Sequence, residues 1–177
     1  PNVIVILYNS KDTDHFKKGV KVITIDDMRW QRCDIKTTSL LANVLGKQTA
    51  EEKGAYESIQ INKQNYITEG TTSNIFFVHS DNLIQTHPSN NNILGGVTRD
   101  IVIELAKRKK FKVLEKPLNI RSLKTIKEAF LTSTTVGVVP VIKIDNLKIS
   151  ECKPGLVSKQ LMILFKSNSK KQIKNNL

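Results

Sequence analysis

Apolar residues fall along this chain in two rhythms, short β-branched runs and longer stretches at helical spacing. Residues 3–7 (Val-Ile-Val-Ile-Leu) and 20–25 are β-branched runs that predict strands. Leu40, Leu41, Val44 and Leu45 form one apolar stripe, which predicts a helix over about residues 39–51 with Thr38 as its cap. Strand-like runs follow at 55–61, 73–78 and 82–86, and the Ser80-Asp81-Asn82 break between the last two predicts a hairpin turn. Asn90-Asn91-Asn92 and Gly95-Gly96 mark a loop. Thr98 is expected to cap a second helix running to about Lys109, with Ile101, Val102, Leu105 and Ala106 on its buried side. Residues 112–116 and 130–132 predict two further strands, with a short helix over about 122–128 between them. Residues 138–144 predict another strand, in which Pro140 limits pairing because it has no N–H to give. Pro154-Gly155 opens a last amphipathic helix, marked by Leu156, Gln160-Leu161 and Leu164. The order of elements is that of a mixed α/β (α+β) domain without internal repeats.

Composition narrows the partners. A chain of 177 residues with 39% hydrophobic content can bury a sizeable single core. No run approaches the ~20 apolar residues of a membrane span, and residues 3–7 are too short for a signal sequence, so no membrane association is expected. Cys33 and Cys152 are far apart and lack metal spacing, and His15, His79 and His87 form no metal pattern. No metal is expected, the two thiols point to a reduced cytoplasmic setting, and His79 and His87 are expected at the surface or half-buried. The net charge of +12 comes from scattered lysines, denser at 107–112 and 166–174, without a stripe of interleaved aromatics. Nucleic acid is therefore not an expected partner. Residues 1–165 are expected to form the domain, and the basic segment 166–177 is expected to fray as a solvated tail.

Candidate chemistry gathers around one lysine. Lys36 closes the run Arg29-Trp30-Gln31-Arg32-Cys33-Asp34-Ile35-Lys36. It is followed at long intervals by Thr68-Glu69-Gly70-Thr71-Thr72-Ser73-Asn74, then Leu94-Gly95-Gly96-Val97-Thr98-Arg99, then Leu131-Thr132-Ser133-Thr134-Thr135. Taken singly, each has an ordinary structural explanation: a surface lysine, a turn, a helix cap and a strand end. Together they supply an amine, a carboxylate and hydroxyl-rich turns, which suit pyridoxal 5'-phosphate: an amine for its aldehyde, an acid for its ring nitrogen and donors for its phosphate. Glycines leading into a helix N-terminus offer free N–H groups and a favourable dipole end to that phosphate. An attacking lysine must be neutral, so its pKa must fall from ~10.4 through burial or a nearby cation; Arg29 and Arg32 are the candidate cations, the alternative being that either simply pairs with Asp34 or the backbone.

The wording and order of these segments resemble the class IV aminotransferases, and within them the D-amino acid (D-alanine) aminotransferases, over about residues 1–165. The resemblance implies the large cofactor-binding domain of that fold, a mixed, barrel-like β-sheet core with surrounding helices. It implies Lys36 as the catalytic residue that bonds the cofactor aldehyde and moves a proton during transamination. It implies Glu69 at the ring nitrogen, Thr71 and Thr72 beside the ring, and Leu94 against its face. Val97, Thr98, Ser133 and Thr134 are then expected around the phosphate. The substrates implied are a D-amino acid and a 2-oxo acid, and the assembly implied is a homodimer. Aminodeoxychorismate lyase and branched-chain aminotransferase share these features and remain alternatives, as does a non-catalytic remnant; the Cys-Asp-Ile-Lys wording favours the D-amino acid branch. Family members carry a smaller N-terminal domain that contributes an arginine to the phosphate and an arginine and histidine to the substrate carboxylate. This chain matches from a point just past those groups, with residues 1–18 as the residual link, and is expected to be weakly active or inactive alone. Two positions depart from the family pattern: Asp145-Asn146-Leu147 stands where Asp-Gly-Lys is usual, and Cys152 replaces a glycine. A left-handed backbone at Cys152 would cost stability.

Overall fold

The computed structural model describes residues 3–7 and 14–175, and the elements follow the alternation of the sequence. After a 3-10 turn at Asp14–Lys18 come β1 (Val20–Asp26), α1 (Leu41–Glu52), β2 (Glu57–Ile61), β3 (Tyr66–Gly70), β4 (Asn74–Val78), β5 (Leu83–Thr86) and α2 (Val97–Arg108). Then follow β6 (Lys112–Glu115), β7 (Leu118–Asn119), a 3-10 turn at Ile120–Thr125, β8 (Glu128–Ser133), β9 (Gly137–Ile144), β10 (Leu147–Lys148), a 3-10 turn at Ser150–Cys152 and α3 (Leu156–Asn175).

All ten strands form one mixed sheet in the order β6-β5-β4-β8-β9-β1-β2-β3-β7, with β10 on β9. β3 and β4 are joined by the tight turn at 71–73, where Gly70 N–H donates to Ser73 C=O at 2.7 Å. Four strands nevertheless separate them in the sheet, so the sheet curls into a half-barrel that brings β3 back to β4. Successive residues of a strand face opposite sides, and here both sides are buried. Ile59, Ile67, Ile75, Leu131 and Val139 fill one face. Phe76, Phe130 and Val138 pack on the other beneath Val102 and Ala106 of α2 and Val157 and Leu161 of α3, with the Phe76 and Phe130 rings stacked at 4.8 Å. That two-sided burial explains why β4 and β8 read as continuous apolar runs.

Several expectations need correction. Residues 3–7 join no strand of the sheet and lie 74–92% exposed, since a β-branched run becomes a strand only where an edge pairs with it. Thr38 does not cap α1: the helix starts at Leu41, its N-cap Leu40 has no side-chain bond, and Thr37 Oγ1 accepts from Ser39 N–H instead. The α1 stripe is also turned outward, with Leu41, Val44 and Leu45 more than half exposed. α1 docks through small residues, Gly46 and Ala50; a Cβ on Gly46 would meet Ile25 Cδ1 at 2.6 Å and Thr71 Cγ2 at 2.9 Å. Close backbone approach decides the face, and hydrophobicity alone points the wrong way. Thr98 is the second residue of α2, whose N-cap is Gly96; of the expected buried side, Val102, Leu105 and Ala106 are buried and Ile101 is partly so. The helix expected over 122–128 is the 3-10 turn, capped by Asn119, while Glu128 opens β8. The Glu128 carboxylate accepts from Val157 N, Ser158 N and Ser158 Oγ at 2.9–3.0 Å and so caps α3 from a neighbouring strand. α3 continues to Asn175 through most of the segment expected to fray; residues 176–177, like 1–2 and 8–13 of the expected link, lie outside the described residues. Pro140 pairs opposite Phe130 on β8, and the β1 ladder begins only at Val141, so its missing N–H falls at the end of that ladder.

Of the two departures from the family pattern, only Cys152 sits at a left-handed backbone; in the other turn Asn146, at the usual glycine position, keeps a negative φ and the preceding Asp145 takes the left-handed one. Asp145 has φ 49°, partly compensated because its carboxylate accepts from Thr24 N–H and Oγ1 at 2.9 and 2.7 Å. Ser150, Glu151 and Cys152 have φ of 49°, 55° and 59° in succession, without glycine. An L-residue there costs ~1–2 kcal/mol. Cys152→Gly is expected to stabilise the chain by about 1 kcal/mol, read as a higher urea midpoint at unchanged m-value; a lower midpoint would show that the cysteine contributes more than its backbone costs.

Candidate active site

The connection from β1 to α1 passes over the C-terminal end of β1 and carries the densest polar cluster described. Asp27 binds Arg29 in a forked pair, Oδ1 to Nε at 2.9 Å and Oδ2 to Nη2 at 2.7 Å. Arg29 Nη2 also donates to Thr68 Oγ1 and to Asn92 C=O, and Nη1 reaches Glu69 Oε1. The Thr68 hydroxyl donates to Asp27 Oδ2 at 2.8 Å. Arg29, expected as a cation beside Lys36, is thus engaged by two carboxylates, and Arg32 is paired with Asp34 at 2.9 Å in solvent.

Glu69 lies in β3, a strand that the Thr-Glu-Gly wording disguises as a turn. Its side chain is 7% exposed. Oε1 accepts from Arg29 and from Leu94 N–H at 3.1 Å, and Oε2 accepts from Asn74 Nδ2 at 2.9 Å. Burial pushes Glu69 up to about 7, against the pull of Arg29 and the Leu94 N–H. Asp27 moves the other way: burial raises it, but the bonds from Arg29 and Thr68 outweigh that and hold it below the usual carboxylate range. Asn74 Nδ2 also donates to Leu94 C=O at 2.8 Å, so one amide fixes both the carboxylate and the loop before α2.

A second buried carboxylate, Glu57, opens β2 and escaped the sequence reading because no motif surrounds it. Its Oε2 accepts from Thr72 N–H and Oγ1 at 3.2 and 2.7 Å and from Ser73 Oγ at 3.2 Å, and its Oε1 accepts from Thr71 Oγ1. The hydroxyls of residues 71–73, those of Thr71 and Thr72 expected beside the cofactor ring, are therefore turned onto Glu57, although both threonines line the cavity. Asn43 of α1 anchors the same turn by donating to Thr71 C=O at 2.7 Å.

These elements enclose a cavity of about 260 Å³, just under the ~300–1,000 Å³ usual for ligand sites. Lys36, Glu69, Thr71, Thr72, Leu94, Thr98, Ser133 and Thr134 all line it, so positions from four distant stretches of sequence converge. Val97 is not on the wall, and its side chain is 70% exposed; only its backbone N–H belongs to the uncapped first turn of α2. Lys36 lies on the exposed connection and has no hydrogen-bond or ion-pair partner among the described residues, so the burial expected for its amine is not built by those residues alone. His87 is a further correction: it is buried, with Nδ1 2.9 Å from Pro88 C=O, and burial pushes its pKa down. No group of His, Cys, Asp or Glu among the described residues could hold a metal. Two features fit a phosphorylated ring. Thr132 Oγ1, buried in the cavity wall, has no partner among the described residues, and the first turn of α2 has no side-chain cap, so its N–H groups remain for an anion.

Fold and cavity together define a class, a curled mixed sheet holding an amine, a buried carboxylate and an uncapped helix N-terminus around one small site. The chain belongs to the amino-transferase class IV family, whose model matches residues 1–144. It is 40% identical over 148 residues to a D-alanine aminotransferase of Staphylococcus aureus (strain N315), covering 84% of this chain and 52% of that protein. It is 41% identical over 152 residues to a D-alanine aminotransferase of Bacillus licheniformis, with 86% and 53% covered. In structure it is similar to a T.th. branched-chain amino acid aminotransferase complexed with N-(5'-phosphopyridoxyl)-L-glutamate (TM-score 0.77, 29% identity, 85% of this chain and 52% of that one). The chain spans about half the length of the curated relatives it matches.

Glu57 gives the site a direct test. Glu57→Gln puts an amide donor opposite hydroxyl and N–H donors in a fully buried site, and breaking such charge-assisted bonds costs about 2 kcal/mol. Chemical denaturation is expected to show that loss. An unchanged midpoint would mean the turn at 71–73 holds its shape without the carboxylate.

Proposed function

We propose that this chain is the cofactor-binding part of a pyridoxal-phosphate-dependent transaminase that exchanges an amino group between a D-amino acid and a 2-oxo acid. The observation that carries the reading is the convergence of Lys36, Glu69 and the α2 N-terminus on one cavity. The bound cofactor supplies an electron-accepting ring. Lys36 Nζ would hold the cofactor at its aldehyde and would be the group that moves a proton at the substrate Cα. Glu69 Oε2 would accept from the ring nitrogen, and Leu94 would lie beside the ring. The phosphate is held by Thr98, Ser133 and Thr134 with the N–H groups of the α2 first turn, Val97 included. Thr71 and Thr72 shape the wall on the α1 side. The names of the curated relatives support D-alanine as amino donor; the branched-chain names of the similar structures favour L-leucine as the competing substrate, and a two-substrate comparison separates the readings.

We also propose a homodimer, supported by the exposed apolar surface of Leu41, Val44, Leu45, Met28 and Trp30, which a second copy would cover. A cytoplasmic setting is supported by the free thiols Cys33 and Cys152, and no helix among the described residues is long and apolar enough to cross a membrane.

Lys36→Ala is expected to abolish the visible absorbance that pyridoxal phosphate gains on bonding to the chain. Full retention of the band in the variant would rule Lys36 out as the bonding amine.

Turnover should be poor even with cofactor in place. The cations on the described wall are Arg29 and Lys36; Arg29 is held by Asp27 and Glu69 and Lys36 would be engaged by the cofactor, which leaves no described wall cation to clamp a substrate carboxylate. Loose placement of the reacting atoms costs ~100-fold or more. At equal cofactor occupancy, D-alanine:2-oxoglutarate turnover by the 177-residue chain is expected to fall below that of an intact relative by at least that factor. Comparable rates would show that the groups described here suffice.

A further inference from the structure

Arg29 and Asp27 touch no part of the proposed reaction, yet they form the most fully bonded charged pair in the molecule's described interior. Every nitrogen of the Arg29 guanidinium has a partner: Nε and Nη2 on Asp27, Nη2 also on Thr68 and Asn92, and Nη1 on Glu69. The side chain therefore has one position, and that position fills one side of Glu69. Oε1 accepts from both Arg29 and Leu94 N–H, which uses its two lone pairs. Oε2 accepts from Asn74 alone and keeps one lone pair. The charges are unequal as well: Asp27 and Glu69 carry two negative charges against one on Arg29, all three largely out of water. A buried excess of one negative charge is unfavourable until a cation joins it.

We propose that Asp27 and Arg29 are positioning residues that aim Glu69 Oε2 into the cavity and leave one buried negative charge there, so that the site takes a nitrogen heteroaromatic ring in its protonated, cationic form. The inference rests on the pyridoxal-phosphate reading above and adds the source of the selection. Arg29 holds Glu69 ionised and directs the acceptor lone pair, and Asp27 keeps the net charge at minus one. Burial pushes Glu69 up to about 7 while Arg29 pulls it down, so the carboxylate is one to which a further cation would be welcome.

The test is the nitrogen-15 chemical shift of ring-labelled pyridoxal phosphate bound to the 177-residue chain, because that shift separates pyridinium from neutral pyridine and a purely structural defect does not move it. The wild-type shift is expected in the pyridinium range. Arg29→Gln removes the cation that keeps Glu69 ionised, and the shift is expected to move most of the way to neutral pyridine, with Arg29→Lys restoring part of it. Asp27→Asn is nearly isosteric, leaves the arginine in place and brings the cluster to zero net charge, so it too is expected to move the shift toward pyridine; it carries the test if Arg29→Gln does not fold. A pyridinium shift unchanged in Asp27→Asn, or in a folded, loaded Arg29→Gln, would overturn the proposal, as would a neutral ring in the wild type. A wild-type chain that does not bind the cofactor at all would instead defeat the underlying reading.

Discussion

A carboxylate taken out of water needs donors, and around Glu69 they arrive from three separate stretches of chain. Arg29 comes from the connection after β1, Asn74 from the start of β4 and the Leu94 N–H from the loop before α2. Leaving such a group unpaired would cost several kcal/mol, so forming this node fixes the three segments relative to one another. The loop before α2 sets where the helix N-terminus points, and the β1 connection sets where Lys36 begins its path. The cavity walls are in that sense consequences of one buried acid finding its partners.

The curl of the sheet makes the node possible. β3 and β4 adjoin only because the strands between them bend round, and the joint is the turn at 71–73, tied by Glu57 beneath and Asn43 beside. Glu57 serves the turn and Glu69 serves the cavity; each has its own set of donors, and no described bond is shared between them. Small residues complete the fit. Gly46 lets α1 lie against Ile25 and Thr71, and Gly96 admits Asn74 under the helix entrance, where any Cβ would collide.

Most strands were legible from β-branched runs, and the site segments from their resemblance to a family pattern, because both are local in sequence. What could not be read locally was settled by partners. Residues 3–7 carry the composition of a strand but have no edge to join, and the apolar stripe of α1 faces outward because its glycine side packs more closely. β3 was hidden by Thr-Glu-Gly, which in isolation is turn chemistry. Arg29 was read as a cation serving Lys36, and only three dimensions show it locked between Asp27 and Glu69. Glu57 carries no signal in a strand that mixes polar and apolar residues, and only its burial shows that donors lie around it. Cys152 was the opposite case, since a glycine missing from a family pattern correctly marked a left-handed backbone.

The central claim is that these walls form a pyridoxal-phosphate site with Lys36 as its bonding amine. Borohydride reduction of the loaded chain, followed by peptide mass mapping, tests it most directly, because reduction fixes the cofactor to whichever lysine holds it. The account predicts a single pyridoxyl adduct on the peptide containing Lys36, despite the many other lysines of this basic chain. Adducts spread over surface lysines such as Lys107 and Lys110, with Lys36 unmodified, would contradict it.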